Sequence, residues 1–214
     1  LAIACRPPHD ARSQEDLERY YRRLAGIARR PVIVQTYCSD KVPIPSSGLL
    51  IRLAREFPSV YGWIKEETGG ADANARMRAE CRAPEVKTVF SAWGSYGWLD
   101  QHRRFGTRGV ISERAAYADF LMSIWSALEA GDAARADDLF AKYLLMMNLR
   151  ETIRGGHLRG FNLYVLKRRG IFRNLVSRDY VTPGDTSGKW KLETRVFTPD
   201  EIAAIEDRLS RLAL

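Results

Sequence analysis

The chain has 214 residues, of which 45% are hydrophobic, and a formal net charge of +8 at pH 7. This length and composition allow a large hydrophobic core and exclude a disordered chain, and no apolar run reaches the roughly 18 residues that a membrane span needs. The basic runs are scattered among acidic residues as on solvated helix faces, so we expect a cytoplasmic protein that binds neither nucleic acid nor membrane. The positive charge leaves a basic adaptor of nucleic acid as a further alternative.

Strand-like and helix-like segments alternate along the first 130 residues. Short apolar segments predict five strands, over residues 1–5, 32–37, 60–65, 86–91 and 109–112. Helices are predicted between and after them, over residues 13–29, 45–56, 72–81, 96–104 and 113–129. Strands that alternate with helices in this way predict an α/β fold with a parallel sheet.

From residue 131 onward the pattern predicts helices only. They cover residues 133–154 and 157–169 and a last helix that begins at residue 198, with an irregular loop over residues 177–194. We therefore divide the chain into a barrel-like part, residues 1–130, and a helical part, residues 131–214.

Five strands are fewer than a closed β/α barrel requires, since such a barrel has eight strands and typically about 250 residues. The sheet is therefore either open and doubly wound, or the chain begins partway through a barrel. The abrupt strand at Leu1 and the lack of an initiator Met favour the second interpretation. The rest of the barrel is then expected upstream or from a second chain.

One of the seven lysines, Lys65, lies at the C-terminal end of a predicted strand, just before a Thr68-Gly69-Gly70 turn. Active sites of parallel α/β proteins lie at this edge of the sheet. Partial desolvation there favours the neutral amine, which is the form that attacks a carbonyl group. Lys65 is thus a candidate Schiff-base residue. The alternative is a strand-end lysine that reaches solvent or pairs with Glu66 or Glu67.

The segment Val60-Tyr61-Gly62-Trp63-Ile64-Lys65-Glu66-Glu67-Thr68-Gly69 resembles the Gly-Ile-Lys-Glu-x-x-Gly motif of the dihydrodipicolinate synthase and N-acetylneuraminate lyase family. Residues 31–34 resemble the fifth barrel strand of that family, and residues 105–112 resemble its eighth strand. The resemblance implies a (β/α)8 TIM barrel with a C-terminal helical extension, in which residues 1–130 hold strands 4 to 8. It also implies an N-terminally incomplete, divergent member that lacks the family's Thr-Thr pair for the substrate carboxylate.

Members of this family form an imine between their lysine and the ketone of pyruvate or another 2-oxo acid. They then make or break a carbon bond or eliminate water. The resemblance implies this role for Lys65 in a lyase of the aldolase or dehydratase type, without metal or organic cofactor, in a homodimer or homotetramer. The three cysteines show no CxxC spacing and the histidines are isolated, so the residues themselves indicate no zinc site.

The sequence departs from the family at Gln35-Thr36-Tyr37-Cys38, where the family usually has a Tyr-Asn-x-Pro motif whose tyrosine transfers protons. A glutamine amide forms hydrogen bonds but is no general acid or base. This favours an alternative function, a catalytically silent barrel homologue that binds an oxo acid or serves as an assembly partner. Tyr37 is predicted to face the same side as Gln35, so its hydroxyl is a candidate replacement.

Further substrate-binding candidates follow the predicted strands at the same edge. They are Thr36, Lys41, Ser91, Trp93, Ile111 and Ser112. Three of them have a structural alternative: Lys41 as a surface lysine, Trp93 as a packing residue and Ser112 as a helix cap.

Overall fold

The computed structural model describes residues 3–37, 42–92, 96–111, 115–153, 158–173 and 197–213. The chain forms two compact units, Leu1–Glu113 and Arg114–Leu214. The first unit alternates strands with helices and the second is helical. The predicted division into a barrel-like part, residues 1–130, and a helical part, residues 131–214, rests on the correspondence of segments to barrel strands and stays a prediction.

The first unit is built around a parallel sheet with strand order β1-β2-β3-β4. Its strands are β1 (Ile3–Cys5), β2 (Val32–Gln35), β3 (Trp63–Glu66) and β4 (Thr88–Ser91), and its helices are α1 (Gln14–Ile27), α2 (Ser47–Glu56), α3 (Gly70–Arg82) and α4 (Trp98–Phe105). The first four predicted strand and helix pairs are confirmed to within a few residues.

The fifth predicted strand, over residues 109–112, is shorter than predicted. In the described part of the chain it is reduced to one parallel bridge between Ser91 and Val110. The N–H of Ser91 donates to Gly109 O at 3.0 Å and the N–H of Ile111 donates to Ser91 O at 2.9 Å, so the segment lies along β4. Gly109 has a φ of +103°, which takes the backbone out of the extended conformation at the first residue of the predicted strand.

Alternate residues of the strands face the helices. Val32, Val34 and Ile64 are buried in one hydrophobic cluster with apolar residues of α1 and α2, which are Leu17, Tyr21, Leu49, Leu50, Leu53 and Ala54. The other face of the sheet carries Ile33 and Trp63, which are only partly buried. Because side chains alternate along a strand, Lys65 belongs to this second face.

Serine caps fix the beginnings of the first two helices. The hydroxyl of Ser13 accepts a hydrogen bond from the N–H of Asp16 at 3.2 Å, and that of Ser46 accepts one from the N–H of Leu49 at 3.1 Å. Each cap satisfies a backbone donor that has no partner inside the helix. The predicted helix starts at these two positions are confirmed.

The second unit consists of α5 (Ala118–Glu129), α6 (Ala133–Thr152), α7 (Leu158–Arg168) and α8 (Pro199–Arg211), and a 3-10 turn, Ala115–Tyr117, precedes α5. α6 packs against α5 and α8. A reciprocal capping box between Thr198 and Glu201 begins α8, at the predicted position. The predicted loop over residues 177–194 lies outside the described residues. None of the described helices is both long enough and apolar enough to cross a membrane.

Candidate active site

The strand register brings Gln35 and Lys65 side by side at the carboxyl edge of the sheet. Gln35, the last residue of β2, pairs with Lys65 in β3, and Lys65 pairs in turn with Phe90 in β4. Paired residues of neighbouring parallel strands project from the same face. This is the edge at which active sites of parallel α/β proteins lie.

A carboxylate joins these two residues. Lys65 Nζ lies 3.0 Å from Glu67 Oε2, and Gln35 Nε2 donates a hydrogen bond to the same oxygen at 2.5 Å. The side chains of Lys65 and Glu67 are only 13% and 14% exposed, and Gln35 is buried. We call these three residues the lysine cluster. An amine and a carboxylate at this distance can exchange a proton directly.

Thr36 connects the C-terminal ends of β2 and β3, which carry the lysine cluster. Its N–H donates to Lys65 O at 3.1 Å, and its hydroxyl accepts a hydrogen bond from the N–H of Glu67 at 2.7 Å. The hydroxyl also lies 3.1 Å from Glu66 Oε1, to which it donates, and Thr36 is fully buried. These bonds continue the pairing of β2 and β3 past the last residue of each strand. A substrate contact at Thr36 stays a prediction.

Glu66 points to the opposite side of the sheet from Lys65. It is fully buried, accepts a hydrogen bond from Arg76 Nε of α3 at 3.0 Å, and accepts one from the N–H of Thr68 at 2.7 Å. Arg76 also donates to Glu80 Oε1 at 3.3 Å. We call Glu66, Arg76 and Glu80 the buried acidic cluster. Arg76 holds Glu66 toward α3, and the following residue, Glu67, faces Lys65 on the other side of the sheet.

Burial and the nearby charge of Glu66 raise the pKa of Glu80 to about 8. Glu80 Oε1 accepts a hydrogen bond from the hydroxyl of Ser47 at 2.7 Å, while its Oε2 has no hydrogen-bond partner within the described residues. At neutral pH Glu80 is therefore largely protonated. Arg76 then balances one buried negative charge, that of Glu66.

We expect the free energy of unfolding to fall as the pH rises from about 5 to about 8, because of Glu80. In the folded protein this carboxyl has a pKa of about 8, whereas its ordinary value is 4.5. Between these values the folded state binds one proton more than the unfolded state, so the stabilisation is complete below about pH 4.5 and is lost through about pH 8. The loss is on the order of a few kcal/mol.

Urea unfolding of the parent protein and of Glu80→Gln across this pH range measures the effect. The amide keeps an acceptor for Ser47 and Arg76 but does not titrate, so we expect a flatter dependence on pH in the variant. Asp100→Asn, a change at a side chain that is 62% exposed, serves as the control and should keep the parent's slope. An unchanged slope in Glu80→Gln would show that Glu80 does not titrate in this range.

The other predicted site residues differ in their surroundings, and three of them lie outside the described residues. Tyr37 is 38% exposed, and the guanidinium of Arg6 lies 4.9 Å from the centre of its ring.

Ser91 is buried and pairs with Glu66 in register, so it faces away from Lys65, and its hydroxyl donates to Thr107 at 3.2 Å. Ile111 is partly buried. Lys41, Trp93 and Ser112 lie outside the described residues, and the roles predicted for all these residues stay predictions.

The sequence indicates Glu67 only as an alternative ion-pair partner of Lys65 and not as a site residue. The signal was the spacing, since residues two apart at the end of a strand face the same side. Arg76 and Glu80 were missed as well. Their i,i+4 spacing on a helix is visible in the sequence, but it is equally common in exposed ion pairs.

The sequence and the fold of this chain were compared with those of known proteins. No protein-family model matches the chain. Over 147 residues, 68% of this chain and 48% of the relative, it is 29% identical to 4-hydroxy-tetrahydrodipicolinate synthase of Dechloromonas aromatica (strain RCB). The chain therefore spans about half the length of this curated relative.

Solved structures of dihydrodipicolinate synthases are similar to this chain in fold. Dihydrodipicolinate synthase from Bacteroides thetaiotaomicron superposes with a TM-score of 0.72 at 17% identity, covering 98% of this chain and 65% of that chain. The enzyme from Rhodopseudomonas palustris superposes with a TM-score of 0.71 at 16% identity and the same two coverages. The chain therefore has the fold of these dihydrodipicolinate synthases and is similar in sequence to a 4-hydroxy-tetrahydrodipicolinate synthase.

These structures confirm the predicted fold class, a TIM barrel with helices after its strands. The four strands of the described sheet are parallel and consecutive in the chain, as neighbouring strands of such a barrel are. Lys65 therefore lies at the C-terminal end of a barrel strand, and the helices α1, α2 and α3 belong to the outer layer.

Proposed function

We propose that the protein is a lyase of the aldolase or dehydratase type that forms an imine between Lys65 and the ketone of pyruvate or another 2-oxo acid. The observation that carries the proposal is the position of Lys65, a largely buried amine at the carboxyl edge of a parallel sheet, 3.0 Å from a carboxylate. A relative named 4-hydroxy-tetrahydrodipicolinate synthase supports this reaction class.

The charge of the protein fits an anionic substrate. A net charge of +8 attracts a 2-oxo acid, which carries a carboxylate at neutral pH. The catalytic role of Tyr37 and the substrate-binding roles of Thr36, Lys41, Ser91, Trp93, Ile111 and Ser112 belong to this proposal. So does a cytoplasmic homodimer or homotetramer, with the free thiols of Cys5 and Cys81 fitting a reducing compartment.

A second candidate function is a catalytically silent homologue that binds an oxo acid or serves as an assembly partner. The observation in its favour is Gln35, which stands where the family usually has its proton-transferring tyrosine. Its amide donates to Glu67 and cannot supply a proton to a leaving group. The two candidates differ in whether a 2-oxo acid becomes covalently attached to Lys65.

Borohydride reduction in the presence of pyruvate separates them. We expect intact-mass spectrometry to show one reduced adduct per chain in the parent protein and none in Lys65→Ala. Lys142→Ala is the matched control, since Lys142 also pairs with an acid, Asp138 at 2.7 Å, but is 40% exposed. It should form the adduct as the parent does. A folded parent that forms no adduct with pyruvate or other 2-oxo acids favours the silent homologue.

A further inference from the structure

We propose that Glu67 is the acid–base residue for imine chemistry at Lys65, in place of the tyrosine that this sequence lacks at Gln35. The inference rests on the proposed function and names a residue for it. Three independent features carry it: the contact between Glu67 and the reacting nitrogen, the orientation of its carboxylate by Gln35, and the anchoring of the neighbouring backbone.

The contact is direct. Glu67 Oε2 lies 3.0 Å from Lys65 Nζ, within the range for proton transfer through a hydrogen bond. Both side chains are largely buried, in contrast to the exposed pair of Lys142 and Asp138. In such a site a carboxylate is held near one nitrogen and is little screened by solvent. The tyrosine candidate, Tyr37, is by comparison 38% exposed, with Arg6 against its ring.

The carboxylate is also oriented. Gln35 Nε2 donates to the oxygen that faces Lys65, so the amide fixes Oε2 toward the nitrogen. On the backbone side, the N–H of Glu67 donates to the hydroxyl of Thr36, and the preceding residue, Glu66, is held by Arg76 on the other side of the sheet. A carboxyl group that is already fixed beside the reacting nitrogen has to move little during the reaction.

The proton steps balance with one carboxyl group. Glu67 takes a proton from the Lys65 ammonium, and the freed amine attacks C2 of the 2-oxo acid while the carbonyl electron pair moves to oxygen. A proton moves from the new C–N nitrogen to that oxygen and gives a neutral carbinolamine. Glu67 then returns its proton to the hydroxyl, the C–O bond breaks, and water leaves as the nitrogen lone pair forms the C=N bond. An ammonium and a ketone thus become an iminium and water, with no oxidant or other reactant.

The test measures the rate of adduct formation by timed borohydride quenching of the protein with saturating pyruvate. Glu67→Gln keeps the size of the side chain but removes the proton acceptor, so we expect a rate at least about 100-fold slower. Glu67→Asp keeps the acid but withdraws it by one methylene, and an intermediate rate is expected. Asp138→Asn, at an exposed lysine-paired acid, is the control and should react as the parent does.

Chemical rescue separates acid–base chemistry from a structural role. Formate added to Glu67→Ala should restore part of the rate, because a small carboxylate can enter the vacated position, and it should leave Glu67→Gln unchanged. Glu67→Gln or Glu67→Ala with the parent's rate would overturn the proposal. A faster variant would overturn it too, since Glu67 would then only hold Lys65 as the ammonium. No adduct in the parent would instead overturn the proposed function, and the role of Glu67 with it.

Discussion

Replacing Arg76 with Met is expected to lower the free energy of unfolding by about 3–5 kcal/mol. The arginine side chain is 15% exposed, whereas Glu66 and Glu80 are fully buried. Methionine fills a similar volume but leaves the charge of Glu66 without its cation in a site that water does not reach. A buried charge that loses its partner costs far more than an exposed one.

Chemical denaturation of the variant at neutral pH measures this loss. Arg104→Met is the matched control, because Arg104 pairs with Asp100 at 3.0 Å but both side chains are at least half exposed. Its cost should stay under about 1 kcal/mol. Adding Glu66→Gln to Arg76→Met should recover part of the stability, since the second change removes the unbalanced charge. Equal losses for Arg76→Met and Arg104→Met would contradict the account of the buried acidic cluster.

Gly62→Ala is expected to destabilise the protein by about 2–4 kcal/mol. Gly62 directly precedes β3 and has a φ of +117°, a conformation that residues with a side chain rarely adopt. An added Cβ would lie 3.2 Å from the backbone oxygen of Glu85 and 3.2 Å from Lys87 Cγ. The carbonyl of Gly62 also accepts hydrogen bonds from the N–H groups of Lys87 and Thr88, at 2.8 and 3.1 Å. A backbone rotation that relieves the contact would therefore weaken the junction of β3 and β4.

Gly106→Ala provides the comparison for this substitution. Gly106 ends α4 with a φ of +82°, but an added Cβ there meets no atom within 4 Å. Only the left-handed backbone is then penalised, at about 1–2 kcal/mol. Thermal unfolding of both variants tests the difference, and a Gly62→Ala variant no less stable than Gly106→Ala would contradict the close approach at Gly62.

The order of elements could be predicted from the sequence because local chemistry decides it. Ser13, Ser46 and Thr198 each precede an amphipathic segment and each caps a helix in the structure. The β-branched run at residues 32–35 forms β2. The segment at residues 109–112 is also apolar, but Gly109 has a positive φ and the described part of the segment forms one bridge to β4.

The position of Lys65 could be predicted, but residue type alone does not distinguish its two possible partners, Glu66 and Glu67. Alternation along the strand favours Glu67. In the structure Glu66 is bound by Arg76 of α3 on the other side of the sheet. The contribution of Gln35 depends likewise on the register of β2 and β3, which long-range contacts set.

Peptide mapping of the borohydride-reduced adduct identifies the lysine that forms the imine. The chain has seven lysines, and we expect pyruvate on Lys65 and no modification of the other six. Reduced pyruvate on a different lysine, or spread over several exposed lysines, would contradict imine chemistry at Lys65.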